Sequence, residues 1–392
     1  MSVLRQVLGR TPLGWRQLVH NPIRFLMACA GVAFAVLLIF MQLGFMNMLF
    51  ETTVMLQRQV DADIVIVNPR ARDLINVRTV PRRRVIQALG VDGVRDAESL
   101  YISNMSWIKP DSGEKGSVLV LGVRTDFDAF KTPGLRGELS RVAAAGTALF
   151  DAVSRGNYRD IVARIQAGEE PRTEVAGRNV TFVGTYRLGA TFGVDSGMIV
   201  SDQTFFALSP RSDPGTPSLG LVRVAPGFDP EDVARRINVM IDGTDAVAMT
   251  MPAFIEVSRN FLIKESPIAF IFSFGVIMGL VVGAVVVFQI LASDVQDHLA
   301  EYAMLKAVGF SNRTLLSVVY EQATILTIGG FLPGLAAALG GYAIVQRSVT
   351  MPMTMPMDRV GLVLALTAGM CLIAGTLALR RVSRVDPAEV FA

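Results

Sequence analysis

Histidine and cysteine are scarce in this chain, and that scarcity closes off several kinds of chemistry. His20 and His298 are its only histidines, too few for a histidine-based metal centre. The two cysteines, Cys29 and Cys371, sit inside apolar runs, which excludes a disulfide framework and a cysteine-type zinc site. No metal and no cofactor is expected. Charge is sparse as well. Only 18% of the residues are charged and 51% are hydrophobic, where an ordinary soluble chain carries about 25% charged residues. A net charge of +3 is too small to suggest nucleic acid as a partner. No G-x-x-x-x-G-K-[ST] run occurs, so the sequence holds no phosphate-binding loop of its own.

Hydrophobicity is concentrated instead in four runs: Phe25–Phe50, Ile268–Ser293, roughly Leu315–Val345 and Val360–Leu379. Glu321 is the one charge inside them. A helix needs about 20 apolar residues to cross a bilayer core about 30 Å thick, and all four qualify. A soluble core helix of this length would normally show water a polar face. The first run is too long and starts too late for a cleaved signal peptide. Ahead of it, Leu13–His20 reads either as an amphipathic helix lying in the membrane surface or as a plain cytosolic tail. Asn21-Pro22 then turns the chain.

The expected fold is therefore a membrane protein with four transmembrane α-helices and a large α+β extracytoplasmic domain between the first two. The expected divisions are an N-terminal segment 1–22, helices at 23–50, 267–293, 315–346 and 359–380, and the domain with stalk ends at 51–266. A loop at 294–314, a short loop at 347–358 and a tail at 381–392 complete the chain. Basic residues set the orientation. Arg5, Arg10, Arg16 and Arg24 precede the first helix, Lys306 and Arg313 lie in the 294–314 loop, and Arg380, Arg381 and Arg384 close the chain. All belong on the cytoplasmic side, which puts both termini there and the large domain outside, in the periplasm of a two-membrane cell. Outside Glu51–Glu265 there are 11 basic and 7 acidic residues, and within it 26 and 27.

In the large domain Asp63–Val67, Ser117–Val123, Val180–Thr185 and Met198–Ser201 read as strands. Val80–Leu89, Asp229–Met240 and Pro252–Ile263 read as helices, with Asp229-Pro230-Glu231 as a helix start. Glu51–Asp61 and Ala253–Glu265 look helical and are expected to extend the membrane helices as a stalk. The domain contains neither histidine nor cysteine, so no Ser/His/Asp or Cys/His set can be built there. No catalytic residue is expected, and the chain is not read as an enzyme. Pro81-Arg82-Arg83-Arg84 is either a solvated helix start or a contact for headgroups or an acidic partner.

A pump needs an energy input. The spans lack the buried carboxylates of a proton- or sodium-driven transporter. The segment placed to receive work is DVQDHLAEYAMLKAVGFSNRTLL, Asp294–Leu316. Its spacing predicts a short amphipathic helix ended by Gly309, with Ser311 capping the next helix. A structural loop is the alternative. Gly275, Gly279 and Gly283 share one face of the second membrane helix, which fits either a dimer seam or tight packing on the first helix. Gly329-Gly330 and Pro333-Gly334 predict a kink or break in the third. The Met351–Met357 segment, MPMTMPM, is a stiff interfacial loop or, through its thioethers, a Cu(I) site.

From Ser266 onward the sequence resembles the DevC family of ABC-transporter permeases, within the wider FtsX/LolC/MacB-like group. SPIAFIFSFGVIMGLVVGAVVVFQILASDVQDHLAEYAMLKAVGF, LPGLAAALGGY, LTAGMCLIAG and VDPAEVF carry the likeness. DADIVIVNP, PRRRVIQAL, LVLGV, TFVGTYRLG and MIVSDQTFF extend it more loosely into the large domain. The resemblance implies an ATPase-coupling loop built on Asp294, Asp297 and His298 (D-V-x-D-H-L) and on Glu301, Tyr302, Leu305, Lys306 and Gly309 (E-Y-A-x-L-K-A-x-G). It implies an inner-membrane homodimer seated on an ABC ATPase subunit that binds the ATP. Working by mechanotransmission, the dimer would pass a lipid, a glycolipid or another amphipathic substrate to a periplasmic membrane fusion (adaptor) protein and an outer-membrane TolC-like channel. An FtsX-like signalling protein that activates a cell-wall hydrolase, and a lipoprotein-release permease, are the alternatives.

Overall fold

The computed structural model describes residues 13–74, 78–110, 112–132, 135–154, 158–189, 196–241, 244–299, 312–348 and 353–382. In chain order these form α1 (Leu13–His20), α2 (Pro22–Gln59), β1 (Ile64–Val67), α3 (Arg82–Ala88), β2 (Val94–Ile108) and β3 (Lys115–Val123). Next come α4 (Leu135–Leu139), a 3-10 turn at Ser140–Ala143, β4 (Thr147–Asp151), α5 (Arg159–Gln166), β5 (Arg172–Val175), β6 (Arg178–Tyr186) and β7 (Ser196–Ser201). The chain continues with α6 (Asp202–Leu208), β8 (Leu219–Val224), α7 (Pro230–Ile241), β9 (Val247–Thr250) and α8 (Met251–Lys264). The last helices are α9 (Pro267–Asp297), α10 (Asn312–Ser348) and α11 (Met357–Val382). The chain divides into a helical unit (Met1–Asn47, Pro267–Gln346, Met353–Ala392) and a sheet unit (Met48–Ser266, Arg347–Pro352).

Four of the described helices, α2, α9, α10 and α11, are long and apolar enough to cross a membrane. In a bilayer the helix satisfies every backbone group internally, which is why uncharged runs of this length take that form. Their facing sides meet in an apolar core of Val32, Val36, Ile39 and Phe40 from α2, Val287 and Leu291 from α9, Leu326 from α10 and Cys371 from α11. α2 runs on unbroken through Gln59. At the other end α8 stops at Lys264 and α9 starts afresh at Pro267. The expected continuous second stalk is thus two helices. Pro267 has no N–H to continue the ladder, and it biases Ser266 away from helical geometry. Of the kink or break expected in α10, the break is absent, because the helix continues through Gly329, Gly330, Pro333 and Gly334. Those glycines serve approach instead: a Cβ on Gly334 would lie 2.8 Å from the Ala33 carbonyl oxygen and from Val36 Cβ.

In the segment joining α10 to α11, Met351 and Pro352 lie outside the described residues. Met353 is buried, Met355 packs on the helical core and Met357 is 84% exposed. Gln346 Nε2 donates to the Met353 carbonyl at 2.6 Å, which ties this segment to the end of α10.

The sheet unit is built around β2, whose 15 residues serve two strand systems. Its first half, to Leu100, pairs with β8, and from Tyr101 to Ile108 it pairs with β3. The first system has strand order β2-β8-β1-β9, with α3 following β1 and α7 following β8. That is the split βαβ, ferredoxin-like arrangement, with β3 to β7 inserted between its second and third strands. Successive residues of β1 point to opposite faces. Ile64 and Ile66 meet Val85 and Ala88 of α3 or Val233 and Ile237 of α7 across the same helical layer. Val65 and Val67 face Leu56, Leu221 and Phe254. Both faces being covered, β1 is buried along its whole length.

The second system runs β2-β3-β7-β4-β6-β5 and returns to β2 through the pair Trp107↔Val175. Trp107, Phe150, Phe182 and Tyr158 form an aromatic cluster within it, with centroids 5.0–5.9 Å apart. The β5–β6 hairpin turns through Ala176 and Gly177, both at positive φ, as a two-residue turn of this hand requires. Asp229 caps α7, its Oδ2 accepting from the Asp232 amide at 3.2 Å. Arg83 and Arg84, at the basic start of α3, both pair with Asp245, at 2.9 and 2.8 Å. That contact holds the Asp245 carboxyl below its ordinary range, Arg84 contributing most.

Candidate functional site

The 294–313 segment enters the described structure at its two ends, 294–299 and 312–313. Asp294, Asp297 and His298 are described, and Glu301, Tyr302, Leu305, Lys306, Gly309 and Ser311 lie outside the described residues. Asp294 and Asp297 sit in the last turn of α9, and each engages a different helix. Asp294 Oδ2 accepts a 2.6 Å hydrogen bond from Gln322 Nε2 of α10. Asp297 forms an ion pair with Arg24 in the first turn of α2. His298 turns back on its own helix, its Nδ1 lying 2.9 Å from the Asp294 carbonyl oxygen. One helix end therefore holds polar links to two others.

The links differ in strength. Arg24 and Asp297 are about half exposed, so their pair contributes on the order of 0.2–1 kcal/mol. Gln322 is fully buried, and losing the Asp294 acceptor would cost its amide more. Val295 and Val319 are fully buried beside these links, with Leu299 and Leu379 packed on them. Leu13–His20, for which a helix and a plain tail were both open, is a helix. Gly14 brings it against α10: a Cβ there would lie 3.0 Å from the Val318 carbonyl oxygen and 3.1 Å from Gln322 Cγ. Trp15 meets Phe25 edge-on at 6.2 Å. Among the described residues, what the junction does is tie the ends of α2, α9 and α10 to one another.

The glycine face of α9 lies inside the bundle. A Cβ on Gly275 would sit 2.6 Å from Gln42 Cδ, on Gly279 3.3 Å from Ile39 Cγ1, and on Gly283 2.8 Å from Ala35 Cβ. Gly275 and Gly279 thus face α2, while Gly283 lies between α2 and α11, where a Cβ would also collide with Met370 Sδ at 2.5 Å. Arg24 and Gln322 went unnoticed in the sequence as site residues. Gln322 carried a faint signal, a polar neighbour of Glu321 in a long apolar run. Arg24 carried none, since its partner lies 273 residues away.

Residues 268–387, which include α10, α11 and all of α9 but Pro267, match the family described as FtsX-like permease C-terminal. No curated protein matches the chain. Among solved structures, the periplasmic region of MacB from Actinobacillus actinomycetemcomitans is similar at 8% identity and a TM-score of 0.36, over 52% of this chain and 96% of that one. The extracellular domain of the noncanonic ABC-type transporter YknZ from Gram-positive bacteria is similar at 12% identity and a TM-score of 0.32, over 48% of this chain and 99% of that one. It is the family match across the membrane helices that carries the comparison: residues 268–387 are similar to the C-terminal domain of FtsX-like permeases.

Proposed function

We propose that the chain is the permease subunit of a DevC-like tripartite ABC efflux pump. A separate ATPase hydrolyses ATP on the cytoplasmic side, and the 294–313 loop receives its movement. The α2, α9 and α10 ends carry that movement across the inner membrane, and the sheet unit, on the periplasmic side, changes conformation in response. Two copies act together, and an adaptor protein and an outer-membrane TolC-like channel complete the route for a lipid, glycolipid or other amphipathic substrate. The observation that carries this reading is the FtsX-like match at residues 268–387, which contains the loop, together with the links that Asp294 and Asp297 make at the loop's root.

The test is reconstitution with a candidate ABC ATPase from the same organism, followed by co-purification and a lipid comparison of a deletion strain with its parent. Stimulated ATP hydrolysis, a bound adaptor and an accumulated lipid are expected. A bound cell-wall hydrolase with no lipid change would turn the reading to FtsX-like signalling. Release of lipoproteins to a soluble carrier would turn it to the lipoprotein-release type. Orientation is tested separately with cysteines at Ser112 and Ser311 and an impermeant maleimide in intact cells. Labelling at Ser112 alone is expected, and labelling at Ser311 alone would invert the topology.

A further inference from the structure

A cleft of about 630 Å³ opens in the sheet unit. Small-molecule sites generally run from about 300 to 1,000 Å³. Leu135 of α4 and Ile165 of α5 give it apolar walls, and Gln59, Thr132 and Gln166 stand at it as polar groups. The fourth side is the end of β6, from Gly184 to Arg187. Between β4 and β6 the register slips by one residue: Ala148 faces Phe182, but Leu149 faces Gly184. Such a bulge re-aims the residues that follow it, and bulges recur beside binding sites. Gly184, lacking a side chain, lets the Glu138 carboxylate lie against the wall. A Cβ there would lie 2.9 Å from Leu149 Cδ2 and collide with the Glu138 carboxylate.

The charges in this cleft do not balance. Glu138 is taken by Arg141, whose Nη1 donates to it at 2.8 Å. Arg187 is exposed and has no ion-pair partner among the described residues. Next to it, the Tyr186 hydroxyl is buried without a hydrogen-bond partner among the described residues. Burial, and then the Asp151 charge, push the Tyr186 phenol well above its ordinary range, so it stays a neutral donor. The cleft thus combines apolar walls with one exposed cation, Arg187, which holds no ion pair among the described residues and acts on the buried Asp151 only through its field; the Tyr186 hydroxyl points inward, beside Gly197 and Asp151. We propose that it binds an anionic amphiphile, with a carboxylate or phosphate head paired to Arg187 and a short hydrocarbon segment against Leu135 and Ile165. This site needs no ATPase and holds whether or not the chain works as an exporter.

The native cysteines are both buried, so a cysteine at Thr185 can report on the cleft in the full chain in neutral detergent. Its labelling by a maleimide is followed with octanoate, octyl phosphate, octanol and octyltrimethylammonium as probes. At a few times the Kd, either anion should slow labelling about fivefold, as occupancy removes the open cleft. Octanol and the cation should not. The stronger of the two anions tells a fatty acid from a phosphate head. Arg187→Gln should remove the protection, read as the ratio of that variant's own labelling rates with and without probe. If Thr185→Cys is poorly folded, Gln166→Cys on α5 takes its place. Equal protection by octanol, protection that survives Arg187→Gln, or no protection by either anion would each overturn the proposal.

Discussion

Gln57 Nε2 donates a 2.7 Å hydrogen bond to Ser258 Oγ, joining the far end of α2 to α8. Both residues are fully buried. Ser258 in turn donates to the Phe254 carbonyl at 3.2 Å, so its hydroxyl is satisfied twice. Gln57 Oε1 has no partner among the described residues. A polar pair of this kind fixes how two helices register on one another.

The pair makes an asymmetric prediction. Ser258→Ala strands the Gln57 amide in the interior and should cost about 1–3 kcal/mol. Gln57→Leu leaves Ser258 bonded to Phe254 and removes a buried orphan oxygen, so it should be close to neutral. Urea unfolding followed by protease resistance of the sheet unit reads both. Equal losses from the two changes would mean that the hydrogen bond is not what matters there.

Glycines of α10 divide by surroundings. Gly334 lies against the α2 backbone, whereas a Cβ on Gly340 meets nothing within 4 Å. Gly334→Leu should lower stability by about 1–3 kcal/mol through overpacking. Gly340→Ala should be neutral or slightly stabilising, since alanine restricts the unfolded chain. Thermal unfolding of both variants in detergent checks this, and an undisturbed Gly334→Leu would argue against the α2–α10 contact.

Asp245 gives a pH dependence with a definite sign. Arg84 and then Arg83 lower its carboxyl pKa from the ordinary 3.8. A carboxyl depressed in the folded state stabilises above its unfolded pKa, and that contribution fades as pH falls through the folded pKa. The stability gap between the native chain and Arg84→Gln should hold at pH 5 to 7 and close below about pH 4. A gap independent of pH would point to lost packing of the Arg84 stem instead.

The proposed power input is tested at Leu305. A charge placed on the apolar face of the expected loop helix would be desolvated in a partner's groove, costing on the order of a few kcal/mol. Each 1.4 kcal/mol is about tenfold in binding. Leu305→Glu should therefore release the ATPase in a pull-down while the sheet unit keeps its protease resistance. Retained ATPase and retained export would move the contact elsewhere.

The membrane helices were legible because an uncharged run of 20 or more residues has one solution in a bilayer. Strands β1, β3, β6 and β7 were legible through their apolar density. β2 was not. VRDAESLYISNMSWI carries three charges and no clean alternation, because its two halves answer to different neighbours, β8 and β3. The closure of the second strand system through Trp107↔Val175 is a pairing of residues far apart in sequence, which no local pattern encodes. The same division holds at the candidate site. The D-V-x-D-H-L and E-Y-A-x-L-K-A-x-G residues marked the loop in the sequence. That Asp294 is held by Gln322, Asp297 by Arg24 and the α9 glycines by α2 and α11 emerged only with tertiary packing. Spacing places residues on a helix face, but which neighbour meets that face is decided by the other helices competing for it.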